Sequence, residues 1–274
     1  MTLPACEYLQ LEQRDHALFV TFNRPEVRNA LSLAMVQELM SVLEAASTDT
    51  TLRAIILRGS GGHFCAGGDI RDMANARARL GKDDSDPFYA LNRCFGQLLE
   101  MAEQAPQMIV CVLEGTVMGG GFGLACISDV ALAHSEARFA LPETSLGIPP
   151  AQIAPFVVKR IGLTQARRLA LLGESLCGDE AARLGITHSV YSSTASLEEA
   201  LANTLSRIKR CAPKANAITK QLMLAVGKTD LGVLLDDAAR AFSDAIQGEE
   251  GVEGTTAFMQ KRKPTWAAER ESEA

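Results

Sequence analysis

Two glycine-rich segments and one glutamate hold most of this chain's capacity for chemistry. "VMGGGFGLACISD", Val117 to Asp129, places three successive glycines at a helix entrance. The N–H groups that a helix entrance leaves unpaired favour negative charge, and bare glycines let a ligand atom come close to them. "FCAGGD", Phe64 to Asp69, has the same setting after a strand and before a helix, so its N–H groups can aim at the spot served by Gly120. Two converging main-chain donors make an oxyanion hole, and removing one such donor typically costs ~3 kcal/mol of transition-state stabilisation. Glu143, in "LPETSLG", follows a strand and precedes a turn, a place where a carboxylate can face a pocket mouth and carry protons as general acid and base. Glu114, just before Gly115, is the competing carboxylate, and Asp69 is assigned to cap the helix that begins at Ile70. Close packing of a helix on a strand is the alternative account of the glycines, and a solvated loop carboxylate that of Glu143.

Other chemistries find little support. The glycine run lacks the third glycine of G-x-G-x-x-G and has no G-K-[ST] ending, which argues against nucleotide binding. His16, His63, His134 and His188 lack metal-ligand spacing, and no G-x-S-x-G elbow occurs. Seven scattered cysteines without a C-x-x-C pair read as reduced thiols and hence a cytoplasmic protein. A net charge of −6 argues against nucleic acid as a partner. An anionic small ligand would depend on local cations such as Arg24 and Arg28, or Lys261, Arg262 and Lys263. The N-terminus lacks the order of a signal peptide and no uninterrupted apolar run is long enough to span a membrane.

The elements that must position these residues follow from pattern. "YLQLEQ" and "ALFVTF" read as an opening hairpin. A helix follows with Leu33, Val36, Met40 and Leu43 on one face and Ser32 as its cap. "RAIILRG", "MIVCVL" and "VALA" read as buried strands, a helix is expected from about Phe88 to Glu103, and "RARLGKDDSDP" as an exposed loop. Strand signals end near Ser192. The expectation is an α/β core over residues 1–192 followed by a helical region over 193–274.

With these residues in order, the chain resembles the enoyl-CoA hydratase/isomerase (crotonase) superfamily. "NRPEVRNALS", "FCAGGDI", "GTVMGGGFGLACISDVALA", "ARFALPETSLGIPP" and "GTTAFMQKRKPTW" carry the resemblance across nearly the whole length. It implies a spiral of ββα turns with a C-terminal helical trimerisation extension, assembled as a homotrimer or a dimer of trimers. It also implies an acyl-CoA substrate and no separate cofactor or metal. By position, it assigns the oxyanion donors to the N–H groups of Ala66 and Gly120. Ala66, Gly67, Gly68 and Asp69 would line the thioester, Arg28 and Ala30 would run beside coenzyme A, and Phe258 and Lys261 would help hold it.

One departure from the family pattern bears on the reaction. Two-carboxylate hydratases carry a glutamate where this chain has Gly123, as well as one matching Glu143. The loss disfavours simple straight-chain hydration. A single carboxylate suffices for a Δ3-Δ2 enoyl-CoA isomerase; alternatively, Gly123 clears space beside C3 for a branched acyl group. An acyl-CoA-binding subunit without activity is a third reading. "PPAQIAPF", with Ala151, Gln152 and Ile153, favours the branched reading by its resemblance to bacterial hydratases of isohexenylglutaconyl-CoA (terpene breakdown) and methylglutaconyl-CoA (leucine breakdown).

Overall fold

The computed structural model describes residues 3–82 and 86–268. The chain forms two compact units, 1–202 and 203–274. In the first, β1 (Leu9–Arg14) and β2 (Ala17–Phe22) form the expected antiparallel hairpin. Helix α1 (Leu33–Ser47) then begins at Ser32, whose Oγ accepts from the Met35 N–H at 3.2 Å. Its buried face carries Met35, Val36, Leu39, Val42, Leu43 and Ala46, about one position away from the stripe read through Leu33 and Met40.

A strand–bridge–helix turn is then repeated. Strand β3 (Ala54–Gly59) leads to the loop around Cys65 and to α2 (Ile70–Arg79) and α3 (Pro87–Gln104). Next come β4 (Met108–Leu113), β5 (Thr116–Met118) and α4 (Gly120–Ile127), followed by β6 (Val130–His134), β7 (Arg138–Ala140) and α5 (Ala154–Leu172). The "RARLGKDDSDP" segment is partly helical, because α2 runs to Arg79; residues 83–85 of it lie outside the described residues. Helix α5 breaks at Gly162, whose φ is +73°. The core unit closes with β8 (Ser175–Leu176), α6 (Gly178–Arg183), β9 (Ser189–Tyr191) and the start of α7 (Thr194–Lys209).

The first strand of each turn enters a six-stranded sheet of order β1-β2-β3-β4-β6-β9, parallel throughout except at β1. The second strand enters a smaller sheet, β5-β7-β8, and Cys65 joins β5 through a parallel bridge to Val117. Parallel strands covered on both faces read as continuous apolar runs. "AIILRG" and "MIVCVL" follow that rule: their central residues are buried. The short second-sheet strands carry no such run, and of them only β7, the strand before Glu143, is expected from the sequence.

The unit boundary falls within α7, after Ala202, rather than at 192. The first turns of α7 belong to the core unit because Leu197 and Leu201 are buried and Glu198 pairs with Arg58. The second unit holds the rest of α7 with α8 (Pro213–Ala225), α9 (Leu231–Gln247) and α10 (Glu249–Met259). Among the described residues no helix is long and apolar enough to cross a membrane.

Candidate active site

Backbone pairing brings three segments side by side. The Cys65 N–H donates to the Thr116 carbonyl and the Met118 N–H to the Cys65 carbonyl, both at 2.9 Å. On the other side of β5, Met118 is in register with Ala140, and the Gly119 N–H donates to the Ala140 carbonyl at 3.1 Å. The three segments therefore end together, in Gly67–Gly68, Gly119–Gly120 and Glu143.

Glycine is required where they meet. Gly119 has φ +50° and ψ −116°, a conformation that L residues avoid. A Cβ there would lie 2.8 Å from Glu143 Oε1 and 3.4 Å from the Gly67 Cα. Gly121 is bare for a different reason: a Cβ would meet the Cys65 Cβ at 2.7 Å and its carbonyl oxygen at 2.8 Å. The packing account thus explains Gly121, and close approach to the carboxylate explains Gly119.

The oxyanion assignment changes by two residues. The Ala66 N–H expected to serve as a donor is already given to the Arg28 carbonyl at 2.9 Å. The Asp69 N–H is spent in the same direction, on the Leu31 carbonyl at 3.0 Å. Leu31 and Gly68 form a parallel bridge in which Leu31 bonds the Gly67 carbonyl and the Asp69 N–H, so the N–H of Gly68 itself faces away from Leu31. It has no partner among the described residues, and neither has that of Gly120, the first residue of α4, where the helix supplies none. The free donors are those of Gly68 and Gly120.

Glu143 stands at the start of a short 3-10 turn after Leu141 and Pro142. Its Oε2 is buried and has no hydrogen-bond partner among the described residues. Burial raises its pKa above the usual carboxylate value, and its own backbone N–H offsets part of that rise. A half-buried carboxylate with a raised pKa and a free oxygen is suited to taking up and returning a proton.

Gly123 does not open a void. A Cβ there would lie 3.3 and 3.4 Å from Cγ1 and Cγ2 of Ile153 and 3.5 Å from Leu99 Cδ1. The space that a second glutamate would need is filled by apolar side chains, so the expectation of cleared room at this glycine is corrected. Leu31 Cδ1 and Phe95 Cζ cover Gly120, at 2.9 and 3.1 Å from where its Cβ would be. Phe95 and Leu99 had no assigned role, although their four-residue spacing puts them on one face of a helix.

The loops are held by polar contacts. Asp69 caps α2, accepting from the Arg71 N–H at 2.9 Å, and pairs with Arg24 at 2.7 Å, both side chains being about 8% exposed. Burial would raise the Asp69 pKa, but hydrogen bonds from Arg24 and Arg71 outweigh it and hold it below the usual value. Arg24 also donates to the Ala30 carbonyl. It is therefore a structural tie rather than a free cation for a ligand. Arg28 is exposed in the left-handed conformation at φ +50°, with Ala30 buried beside it. The Glu114 carboxylate is engaged by Thr194 at 3.2 Å and lies 3.8 Å from Arg58. In the second unit Phe258 is 85% exposed, Lys261 is exposed at φ +53°, and Arg262 is paired with Glu253. An open groove of about 630 Å³ between α1 and α3, lined by Met40, Glu44, Cys94 and Met101 among others, contains none of the glycine-loop residues.

The model of the enoyl-CoA hydratase/isomerase family matches residues 12–269. The chain belongs to that family. It is 32% identical over 257 residues to the 2,3-dehydroadipyl-CoA hydratase of Escherichia coli (strain K12), covering 93% of this chain and 97% of that protein. Among solved structures, Pseudomonas aeruginosa AtuE is 58% identical with a TM-score of 0.93, covering 96% of this chain and all of that one. An enoyl-CoA hydratase/isomerase from Marinobacter aquaeolei is 55% identical with the same TM-score and coverage. This enoyl-CoA hydratase-type chain is accordingly a hydro-lyase, and its α/β architecture is that of its structural neighbours.

Proposed function

We propose that this enzyme adds water across the C2=C3 bond of a 3-branched glutaconyl-CoA thioester, such as isohexenylglutaconyl-CoA or 3-methylglutaconyl-CoA. The observation that carries the single-carboxylate mechanism is one buried carboxylate, Glu143, beside two unpaired N–H donors, with an apolar wall where a second carboxylate would stand; the branched acyl group is taken from the resemblance of "PPAQIAPF" alone. The 2,3-dehydroadipyl-CoA named for the Escherichia coli relative likewise carries a carboxylate at the far end of its acyl chain.

In this mechanism the N–H groups of Gly68 and Gly120 polarise the thioester carbonyl. Glu143 takes a proton from water as the water oxygen bonds to C3. The C2=C3 electron pair moves into the enolate, whose oxygen the two donors hold. As the enolate collapses, Glu143 returns the proton to C2, so that one water is added and the carboxylate is restored. Ile153, Leu99, Leu31 and Phe95 shield the enolate from bulk water, which strengthens the donors' effect.

The test is a substrate panel. Loss of the conjugated thioester absorbance should be faster, in kcat/KM, with 3-methylglutaconyl-CoA than with crotonyl-CoA. Appearance of that absorbance from a 3-enoyl-CoA, with no hydration of either conjugated substrate, would replace this reading with the isomerase. Binding of these thioesters without turnover would identify an inactive acyl-CoA-binding subunit.

We also infer a homotrimer or dimer of trimers built through the 203–274 unit, where Leu231, Leu235 and Phe242 are each more than half exposed. Light scattering of the purified enzyme reads this directly. Phe258 and Lys261 are retained as residues that hold coenzyme A. Seven free cysteines favour a reducing, cytoplasmic setting.

A further inference from the structure

We propose that Arg93, with Gln152 beside it, recognises an anionic group at the far end of the acyl chain. The inference rests on the glutaconyl reading above and names the feature of that substrate which this site selects.

Arg93 lies on α3 and presents its guanidinium over Gly96. Nη2 donates to both carboxylate oxygens of Glu100 at 3.1 Å. Nη1, by contrast, is buried and has no hydrogen-bond partner among the described residues. A Cβ at Gly96 would lie 1.9 Å from Gln152 Oε1 and 2.8 Å from Arg93 Nη1. Gly96 therefore leaves a gap bordered by both the Gln152 amide and the Arg93 guanidinium, and any larger residue would close it.

The residues next in sequence to this gap pack on the glycine helix of the active site. Phe95, adjacent to Gly96, covers Gly120, and Ile153, adjacent to Gln152, covers Gly123. A buried guanidinium nitrogen without an acceptor is costly to leave unmet. With Nη2 committed to Glu100, Nη1 remains to donate one charge-assisted hydrogen bond to a further anionic group. A carboxylate-ended acyl group running past Phe95 and Ile153 supplies the missing acceptor, whereas a methyl-ended chain of equal length leaves it unmet. Gln152 adds its amide N–H₂ as a second donor once its side chain turns toward the ligand.

Saturated thioesters test this without turnover. By calorimetry, the parent enzyme should bind glutaryl-CoA about 10- to 100-fold more tightly than valeryl-CoA, the difference that one charge-assisted hydrogen bond supplies. In Arg93→Met that ratio should fall to near one, and in Arg93→Lys it should be intermediate. Gln152→Glu, which puts a competing carboxylate beside Nη1 and leaves Arg93 in place, should also lower the ratio. If the parent has no preference for glutaryl-CoA, or if Arg93→Met keeps it, the proposal is overturned. Failure of the hydration assay with 3-methylglutaconyl-CoA, alongside a glutaryl preference lost in Arg93→Met, would sink the glutaconyl hydratase reading while upholding Arg93 as the anion-recognising residue.

Discussion

If Ile153 occupies the space that a second glutamate would need, substitutions at 123 and 153 should compensate one another. Gly123→Glu alone must push its Cγ and carboxyl into atoms that already stand 3.3 to 3.5 Å from the Cβ position. Overpacking of this kind costs about 1–3 kcal/mol, and an unpartnered buried carboxylate adds to it, so a loss of about 3 kcal/mol or more is expected. Ile153→Ala alone leaves a cavity against Gly123 and Leu99. Ile153 is 6% exposed, which puts the loss at about 2–5 kcal/mol. In the double variant the glutamate enters the volume that the isoleucine vacated. Its cost should therefore be smaller than the two single costs combined, by about 1–3 kcal/mol of favourable coupling. Urea unfolding at constant m-value measures all four corners of the cycle. The double variant also brings a second carboxylate toward Glu143, so its kcat/KM for crotonyl-CoA should exceed that of either single variant. Additive costs, with coupling under about 0.5 kcal/mol, would show that Ile153 does not hold the second glutamate's place, and the explanation of the missing carboxylate would fail.

Glu143→Gln should reduce kcat by about 10²- to 10⁴-fold while making the fold more stable at pH 7.5. The sign follows from the raised pKa: between the ordinary carboxylate value and the raised one the native state binds more protons than the unfolded chain, so parent stability falls as pH rises through that window. The variant's margin over the parent should grow from pH 4 to pH 8; a flat margin in denaturation experiments refutes the burial argument. Gly119→Ala should cost about 1–3 kcal/mol from its backbone conformation. It should also lower kcat more than it raises KM, because the new Cβ displaces Glu143 Oε1; unchanged steady-state kinetics would contradict that contact. Asp69→Asn should destabilise by about 3–5 kcal/mol at pH 7, since it leaves Arg24 buried and uncompensated. Asp69 is held at a lowered pKa, so its contribution is present above the ordinary carboxylate value and is lost as pH falls through the depressed one. Thermal melts from pH 7 to pH 2 should show the gap between parent and variant closing.

Much of the fold was legible because its signals are local. A buried parallel strand announces itself as an apolar run, and Ser32 and Asp69 cap their helices from one position away. The site was legible as a set of segments, since glycines and a lone glutamate at strand ends are rare enough to notice. What the sequence withheld were facts about direction and volume. Ala66 and Gly68 are two residues apart in one loop, and only the pairing of that loop with Arg28 and Leu31 decides which N–H is free. Ile153 and Gly123 are 30 positions apart, and nothing local to either states that one fills the other's missing side chain. The same reasoning separates the three glycines of the opening run: Gly119 by its dihedral angle, Gly121 by Cys65, and Gly120 by the donor it exposes. A motif therefore marks where backbone and ligand meet, while the contacts made by distant residues determine which atoms of the motif remain available for the reaction.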